Sequence, residues 1–484
     1  MPEADGTTAT APASRPYTAW PLENILFSAA LVARRMPWAD LPARTLGLDA
    51  LTREGLTRRL VTHLRGGRDG RPVRLRTPFG AFLVPLTRAH AEDLLARADR
   101  AGALGAASGL ADDGRRYALS PHAAPAGAWD EPAQDELDGL TAQVSEQLVQ
   151  VLAARREDGA LDQDRWHAGM LRLSRYVVLG AGAAEDTLLS ELVSSAGPAD
   201  GRTYEASRAA AVRRRLEPYV THPEPGSLAD RLTAAGGSGP ETLLAVAHAL
   251  ALVSTATSTS ALQALALLAA GAGAGAADGV TGFEEAPDAV GLALDRYPPL
   301  SAVVHPVRAP FEADGAALGA GEDILYLPAL WGERGEGERA EASWALCANL
   351  SGCSVARFAA LVCRAVVRGI TAEARPVLLA PRFTADRLPD TLDPRTVAVA
   401  LTAADGPGAA PDGHGAPLSG YGVRGHVGAD RLERHADTLA ACAADSGWDG
   451  SEAGERFRMI LLAHADRCAR AAADVRGAAR RLSG

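Results

Sequence analysis

The chain has 484 residues, 47% of them hydrophobic and 22% charged, enough to bury a sizeable core and to exclude wholesale disorder. Its formal net charge is -10, and its densest basic cluster, Arg213-Arg214-Arg215, reads as a solvated helix face, so nucleic acid is not an expected partner. Five cysteines (Cys347, Cys353, Cys363, Cys442 and Cys468) share no CxxC spacing and suit a reducing compartment, which makes the cytoplasm the expected location.

Residues 1–16 are polar and proline-bearing, lack the basic-then-apolar order of a secretion signal, and are expected to be a flexible leader. Trp20 to Leu60 has a helical pattern broken around Pro37 to Pro42. Arg71 to Leu86 alternates around Pro-Phe-Gly and predicts a hairpin, and Thr87 caps a helix running to Arg100. Helices are expected over Glu131–Arg156 and Asp162–Val178, near Ala184, over Glu205–Leu216, and from the capping Ser227 to Ala234.

Leu243 to Ala277 is almost continuously apolar and long enough to cross a bilayer. His248 and the run Ser254-Thr255-Ala256-Thr257-Ser258-Thr259-Ser260 interrupt it, which favours a buried core helix; no membrane is expected. A helix over Val290–Arg296 then ends at Pro298-Pro299. Strands follow over Ala302–Val307 and Ile324–Leu327, a helix over Val355–Arg368 and a strand over Val397–Leu401. Gly406 to Gly428 has no hydrophobic period and reads as a linker, with two amphipathic helices beyond it, Ala429–Ser446 and Glu452–Leu482.

Several pieces, in this order, resemble the bacterial cytochromes P450. Leu292–Pro299 (LALDRYPP) is similar to the family's K-helix ending, and Leu300–Pro328 continues it with a strand, a turn at Asp314-Gly315 and Gly319-Ala320-Gly321. The long apolar helix resembles the I-helix over the haem, Ser351–Leu361 the start of the helix after the haem ligand, Leu388–Leu401 the closing strand region, and Ala118–Trp129 the approach to the C-helix. The resemblance implies a mainly α fold with small β-sheets, P450-like over 17–402. A Gly/Pro-rich linker (403–428) and a C-terminal helical extension (429–484) follow.

The residues that would hold haem depart from the family pattern. Counted from Gly352 and Arg357, the thiolate position is Leu350, and the family's iron needs a cysteine sulfur there. The K-helix Glu-x-x-Arg positions are Leu292 and Asp295; aligned on Arg296-Tyr297 instead, Ala293 replaces the glutamate. Trp129 is kept, but Ala133 replaces a propionate-binding arginine, and His305 stands where another would be. Gly332–Ser343 is too short for the family's meander and haem loop. Stripped of those cations, two buried propionates would be left unpaired at a penalty of several kcal/mol. No cofactor and no metal is therefore expected; haem would require Cys347 or Cys353 as a displaced ligand.

No triad, phosphate loop or metal motif is evident. His305 is a candidate general base, Thr255, Thr257, Ser258 and Thr259 are candidate pocket-lining hydroxyls, and His248 and the cysteines read as core residues. Asp412-Gly413-His414 falls in the linker, where metal binding is speculative.

Three functions follow. The first is a haem-less auxiliary protein of natural-product biosynthesis, like the P450-like partners that activate glycosyltransferases in antibiotic pathways. Its docking surface would be an apolar stripe of Leu432, Leu439, Phe457, Ile460, Leu461 and Leu462, or that stripe covers its own core. The second is a cofactor-independent enzyme acting on a hydrophobic small molecule by cyclisation, elimination or hydrolysis. The third is a monooxygenase with a displaced cysteine. The auxiliary reading is preferred.

Overall fold

The computed structural model describes residues 16–34, 53–67, 72–77, 80–105, 107–110, 116–118, 134–153, 160–194, 202–271, 289–300, 302–313, 316–327, 346–347, 353–381, 383–389, 392–403, 418–444 and 452–483. The expected leader, apart from its last residue, and Gly332–Ser343 lie outside them, as do Trp129, Ala133, Leu350 and Asp412-Gly413-His414.

The first body is a sheet with helices against it. Strand β1 (Tyr17–Thr18) leads into helices α1 (Pro21–Arg34) and α2 (Arg53–Gly67), and β2 (Val73–Thr77) turns back into β3 (Gly80–Val84). This is the expected hairpin, with Val73 opposite Val84 and Thr77 opposite Gly80. Val73 and Leu75 are buried while Arg76 points outward, as a half-buried strand of period two requires. The Thr87 side chain accepts a hydrogen bond from the His90 N–H at 3.3 Å and starts α3 (Arg88–Arg100). Strands β4 (Ser108–Leu110), β5 (Arg116–Ala118), β6 (Val303–Pro306) and β9 (Glu322–Tyr326) complete a seven-stranded sheet of order β1-β2-β3-β9-β6-β4-β5. The small hairpin of β7 (Phe311–Ala313) and β8 (Ala316–Leu318) brackets the expected Asp314-Gly315 turn. Leu75, Phe82, Val304 and Leu325 belong to one apolar layer of this body, and Leu83, Leu94, Leu95 and Tyr326 to a second.

The second body is helical. It contains α4 (Gln134–Ala153), α5 (Gln163–Leu179), α6 (Thr187–Ser194), α7 (Arg202–Thr221), α8 (Leu228–Gly236), α9 (Pro240–Ala269), α10 (Ala289–Arg296) and α11 (Ser354–Glu373). An antiparallel pair, β10 (Ala374–Ala380) and β11 (Ala398–Ala403), closes one edge. Asp162 caps α5 by accepting from the N–H groups of Asp164 and Arg165, and Ser227 caps α8 through the Asp230 N–H. Pro240 occupies the first turn of α9, where its missing N–H has no partner to lose. Leu148 of α4, Met170 and Leu173 of α5, Val246 and Val253 of α9, and Phe358 and Val362 of α11 share one core.

Among the described residues, α9 is the one helix long and apolar enough to span a bilayer. Many of its apolar side chains between Ala245 and Leu267 enter the main core, as in a buried core helix.

The last element is a long helical hairpin, α12 (Leu418–Ala443) and α13 (Glu452–Ser483). Here the expected linker is corrected: its residues from Leu418 onward are helical. Glycine propensity is a weak prior that packing overrides, and from Val427 onward the helix is anchored. Val427 packs on Ala160, Leu379, Ala398 and Ala400, and the Arg431 guanidinium donates to the Thr396 carbonyl. Ala429, Ala436 and Ala443 on α12, and Ala465 and Ala472 on α13, are buried at seven-residue intervals. Such a heptad seam of small side chains lets two helices run close together. Arg476 ties the ends by donating to Asp430 at 2.9 Å and to Glu433 at 2.6 Å. Far from that base, α13 exposes Phe457, Met459, Ile460 and Leu462. Of the expected stripe, Leu432, Leu439 and Leu461 are half-buried.

Candidate functional site

The middle of α9 is built from hydroxyl-bearing residues. Thr255 donates to the Ala251 carbonyl at 2.9 Å, Thr257 to Val253 at 2.7 Å and Ser258 to Ser254 at 2.5 Å. Hydroxyls that bond the carbonyl four residues back compete with the helical ladder, and over Ala256–Ser260 α9 widens into a π-turn. The turn redirects its carbonyls, and that of Ser258 accepts from the Trp166 indole N–H at 3.0 Å. Thr257 is fully buried and meets the Ser174 hydroxyl at 3.1 Å. Of the hydroxyls expected to line a pocket, those of Thr255, Thr257 and Ser258 thus bond their own helix; Thr257 lies in the core, and Thr255, Ser258 and Thr259 are half-buried.

Two turns before the π-turn, α9 places His248 in the core at 4% exposure. The Cys347 sulfur lies 3.5 Å from its Nε2 and the Cys353 sulfur 3.6 Å from the same atom. Cys347 belongs to the approach to α11, and Cys353 is the residue immediately before that helix. All three are buried, the cysteines are thiols rather than a disulfide, and the three donor atoms lie within 4.8 Å of one another. The Cys347 thiol, the His248 imidazole and the Ala356 N–H together draw the Cys353 thiol down to about 4, against burial, which pushes it up. Sequence reasoning treats these as three separate core residues. A signal is present in it all the same: an imidazole inside an apolar run needs a polar partner, and two cysteines closely precede the long core helix α11.

The positions equivalent to the family's haem contacts are dispersed. Leu350 and Ala133 lie outside the described residues. Leu292 packs on the main core and Asp295 is half-buried. The Arg296 guanidinium donates to the backbone carbonyls of Leu388 and Pro389, and the Tyr297 hydroxyl also donates to Pro389, so the end of α10 is tied to the 388–389 segment. His305, the candidate base, is buried in β6 opposite Ile324. It stands in the sheet body, whose apolar layers are separate from the core holding the hydroxyl run. The structure does not assemble these two groups into one site.

A groove of about 490 Å³ runs between α4 and α11, lined by Ser145, Leu148, Val149, Gly369 and Glu373 among others. None of the expected site residues borders it.

No family model and no curated protein matches the chain. Solved structures do. The open cytochrome P450 EryK from S. erythraea is 14% identical, with 72% of this chain and 98% of that chain covered and a TM-score of 0.46. The retinoic acid-bound cyanobacterial CYP120A1 is 10% identical over 71% and 93%, with a TM-score of 0.45. CalO2 is 16% identical over 58% and 76%, with a TM-score of 0.39. Cytochromes P450 are thus among the solved structures that this chain is similar to, and its own elements form the mainly helical body with small sheets that the sequence resemblance implied.

Proposed function

We propose that this chain is a haem-free, P450-like auxiliary protein of natural-product biosynthesis that works in the cytoplasm by binding a biosynthetic enzyme, with a glycosyltransferase as the partner the resemblance favours. One observation carries it. The two cysteines that could replace the lost ligand both turn their sulfurs onto one imidazole, at 3.5 and 3.6 Å. Haem would need one of these sulfurs as its iron ligand, and here both are engaged by His248. The described residues do not fit the group. Arg296, the cation nearest in sequence to the family's K-helix pair, donates to backbone carbonyls rather than to a carboxylate partner.

Support for a partner comes from α13, where Phe457, Met459, Ile460 and Leu462 are 40 to 56% exposed near the tip of a hairpin whose other end holds the body. A fold can keep its shape while its site is lost if its surface acquires a new use. An enzyme of the vacated pocket is less favoured, because the α9 hydroxyls bond their own carbonyls.

The test has two arms. Protein made in haem-supplied cells is expected to show no Soret band, and a band that shifts with carbon monoxide ends the reading. A natural-product glycosyltransferase co-expressed with this chain is expected to form a complex with it that Phe457→Asp with Ile460→Asp abolishes. Turnover of a pathway intermediate by the isolated chain would favour an enzyme instead.

A further inference from the structure

We infer that His248, Cys347 and Cys353 form a zinc-binding site that joins the long core helix α9 to the start of α11. The inference goes beyond the partner reading and does not depend on it.

Geometry supports the ion first. In a tetrahedral zinc site, Zn–S bonds of about 2.3 Å and Zn–N bonds of about 2.0–2.1 Å place sulfur and nitrogen about 3.5–3.6 Å apart. The two sulfur–nitrogen separations here are 3.5 and 3.6 Å. All three donor atoms fall within 4.8 Å of one another, close enough for one ion to bridge them.

Valence supports it next. Nε2 of an imidazole carries either one proton or one lone pair. Both sulfurs approach that one atom. A cation bound to the lone pair and to both sulfurs would engage all three donors at once. The donor set also selects the metal: one imidazole and two thiolates are soft, which suits zinc and disfavours magnesium or calcium. Both sulfurs would bind as thiolates, any thiol proton still present being released to solvent as its sulfur–zinc bond forms, and no oxidant is needed.

Three protein ligands leave a fourth coordination position for a water or a ligand atom. The bonds span α9 and the N-terminus of α11, two elements of the same core, and make the site a staple between them.

The experiment is metal analysis of the full chain purified without chelator, with the variants His248→Ala, Cys347→Ser and Cys353→Ser. About one zinc per chain is expected in the wild type, and a loss of at least about tenfold in each variant, since even outer-shell changes cost about 10–100-fold in affinity. Cys442→Ser, on the exposed face of α12, should keep its zinc. If the variants fail to fold, the wild type decides alone. Chelated chain titrated with cobalt(II) should develop the visible bands of a tetrahedral ion and a near-ultraviolet sulfur-to-cobalt band. Alkylation should spare Cys347 and Cys353 until zinc is removed. Zinc-free protein with no cobalt spectrum, or one with a Cys347–Cys353 disulfide, overturns the inference while leaving the haem-free reading intact; a Soret band would overturn both.

Discussion

Asp186, at the start of α6, shows how a single charge is held. Its carboxylate accepts from Arg215 at 2.7 Å, from the Tyr219 hydroxyl at 3.1 Å and from the Leu189 N–H at 3.3 Å. Burial pushes its pKa up, but these three donors outweigh burial and leave it below the ordinary carboxylate value. A carboxyl lowered in the folded state adds stability above its unfolded pKa of about 3.9, and that stability is lost as pH falls through the folded value. Asp186→Asn is expected to destabilise the protein by about 1–3 kcal/mol near neutrality. The gap between wild type and variant should close as pH drops below about 4. Urea melts across pH check it, and a gap that ignores pH would show that the charge is immaterial. At this scale the sequence was least legible. Leu350 could be named from its spacing to Gly352 and Arg357, but the meeting of His248 with cysteines 99 and 105 positions away is a product of tertiary packing. His305, which the sequence offered as a base, is a strand residue inside a sheet.

Elements were more legible wherever a cap or a strict period marked them. Thr87, Asp162 and Ser227 each stand where a helix begins, because their side chains satisfy N–H groups that nothing else reaches. The hairpin of β2 and β3 was visible from alternation alone. The start of α12 was not, because glycines at 420, 422, 425 and 428 argue against a helix locally, and tertiary packing from Val427 onward outweighs that preference. The alanine seam explains how, and it gives a prediction. Ala436→Leu would force the hairpin apart and is expected to destabilise it by about 1–3 kcal/mol, seen as early loss of helicity in thermal circular dichroism. Ala440→Leu, at an exposed position, should change little, and equal effects at both sites would refute the seam.

For the whole molecule, the order of fragments was the informative signal. No single piece of the sequence carries the fold, yet the apolar helix, the Tyr-Pro-Pro ending, the strands and the closing segment succeed one another as a P450-like chain would have them. The structure agrees in class, with one helical body and one sheet body. Removing residues 418–483 is expected to leave the melting temperature of the remaining body within a few degrees, because α12 is anchored chiefly at Val427 and Arg431, while partner binding is lost. A truncated chain that no longer folds would show instead that the hairpin covers core.

The π-turn of α9 has a consequence for the timing of the helix. A wide turn is equivalent to one inserted residue, and each residue of an α-helix advances the azimuth by about 100°. Downstream of Ser260, every side chain is therefore out of phase with those upstream. That offset lets Gln263 reach the Leu392 carbonyl at 2.7 Å while His248 faces the cysteines. Excising one residue between 256 and 260 would mend the ladder and spoil the phase. It is expected to destabilise the protein more than Thr257→Ala does, although it restores regular helix. Paired denaturation curves of the two variants would show whether the irregular turn keeps the two ends of α9 aimed at different partners.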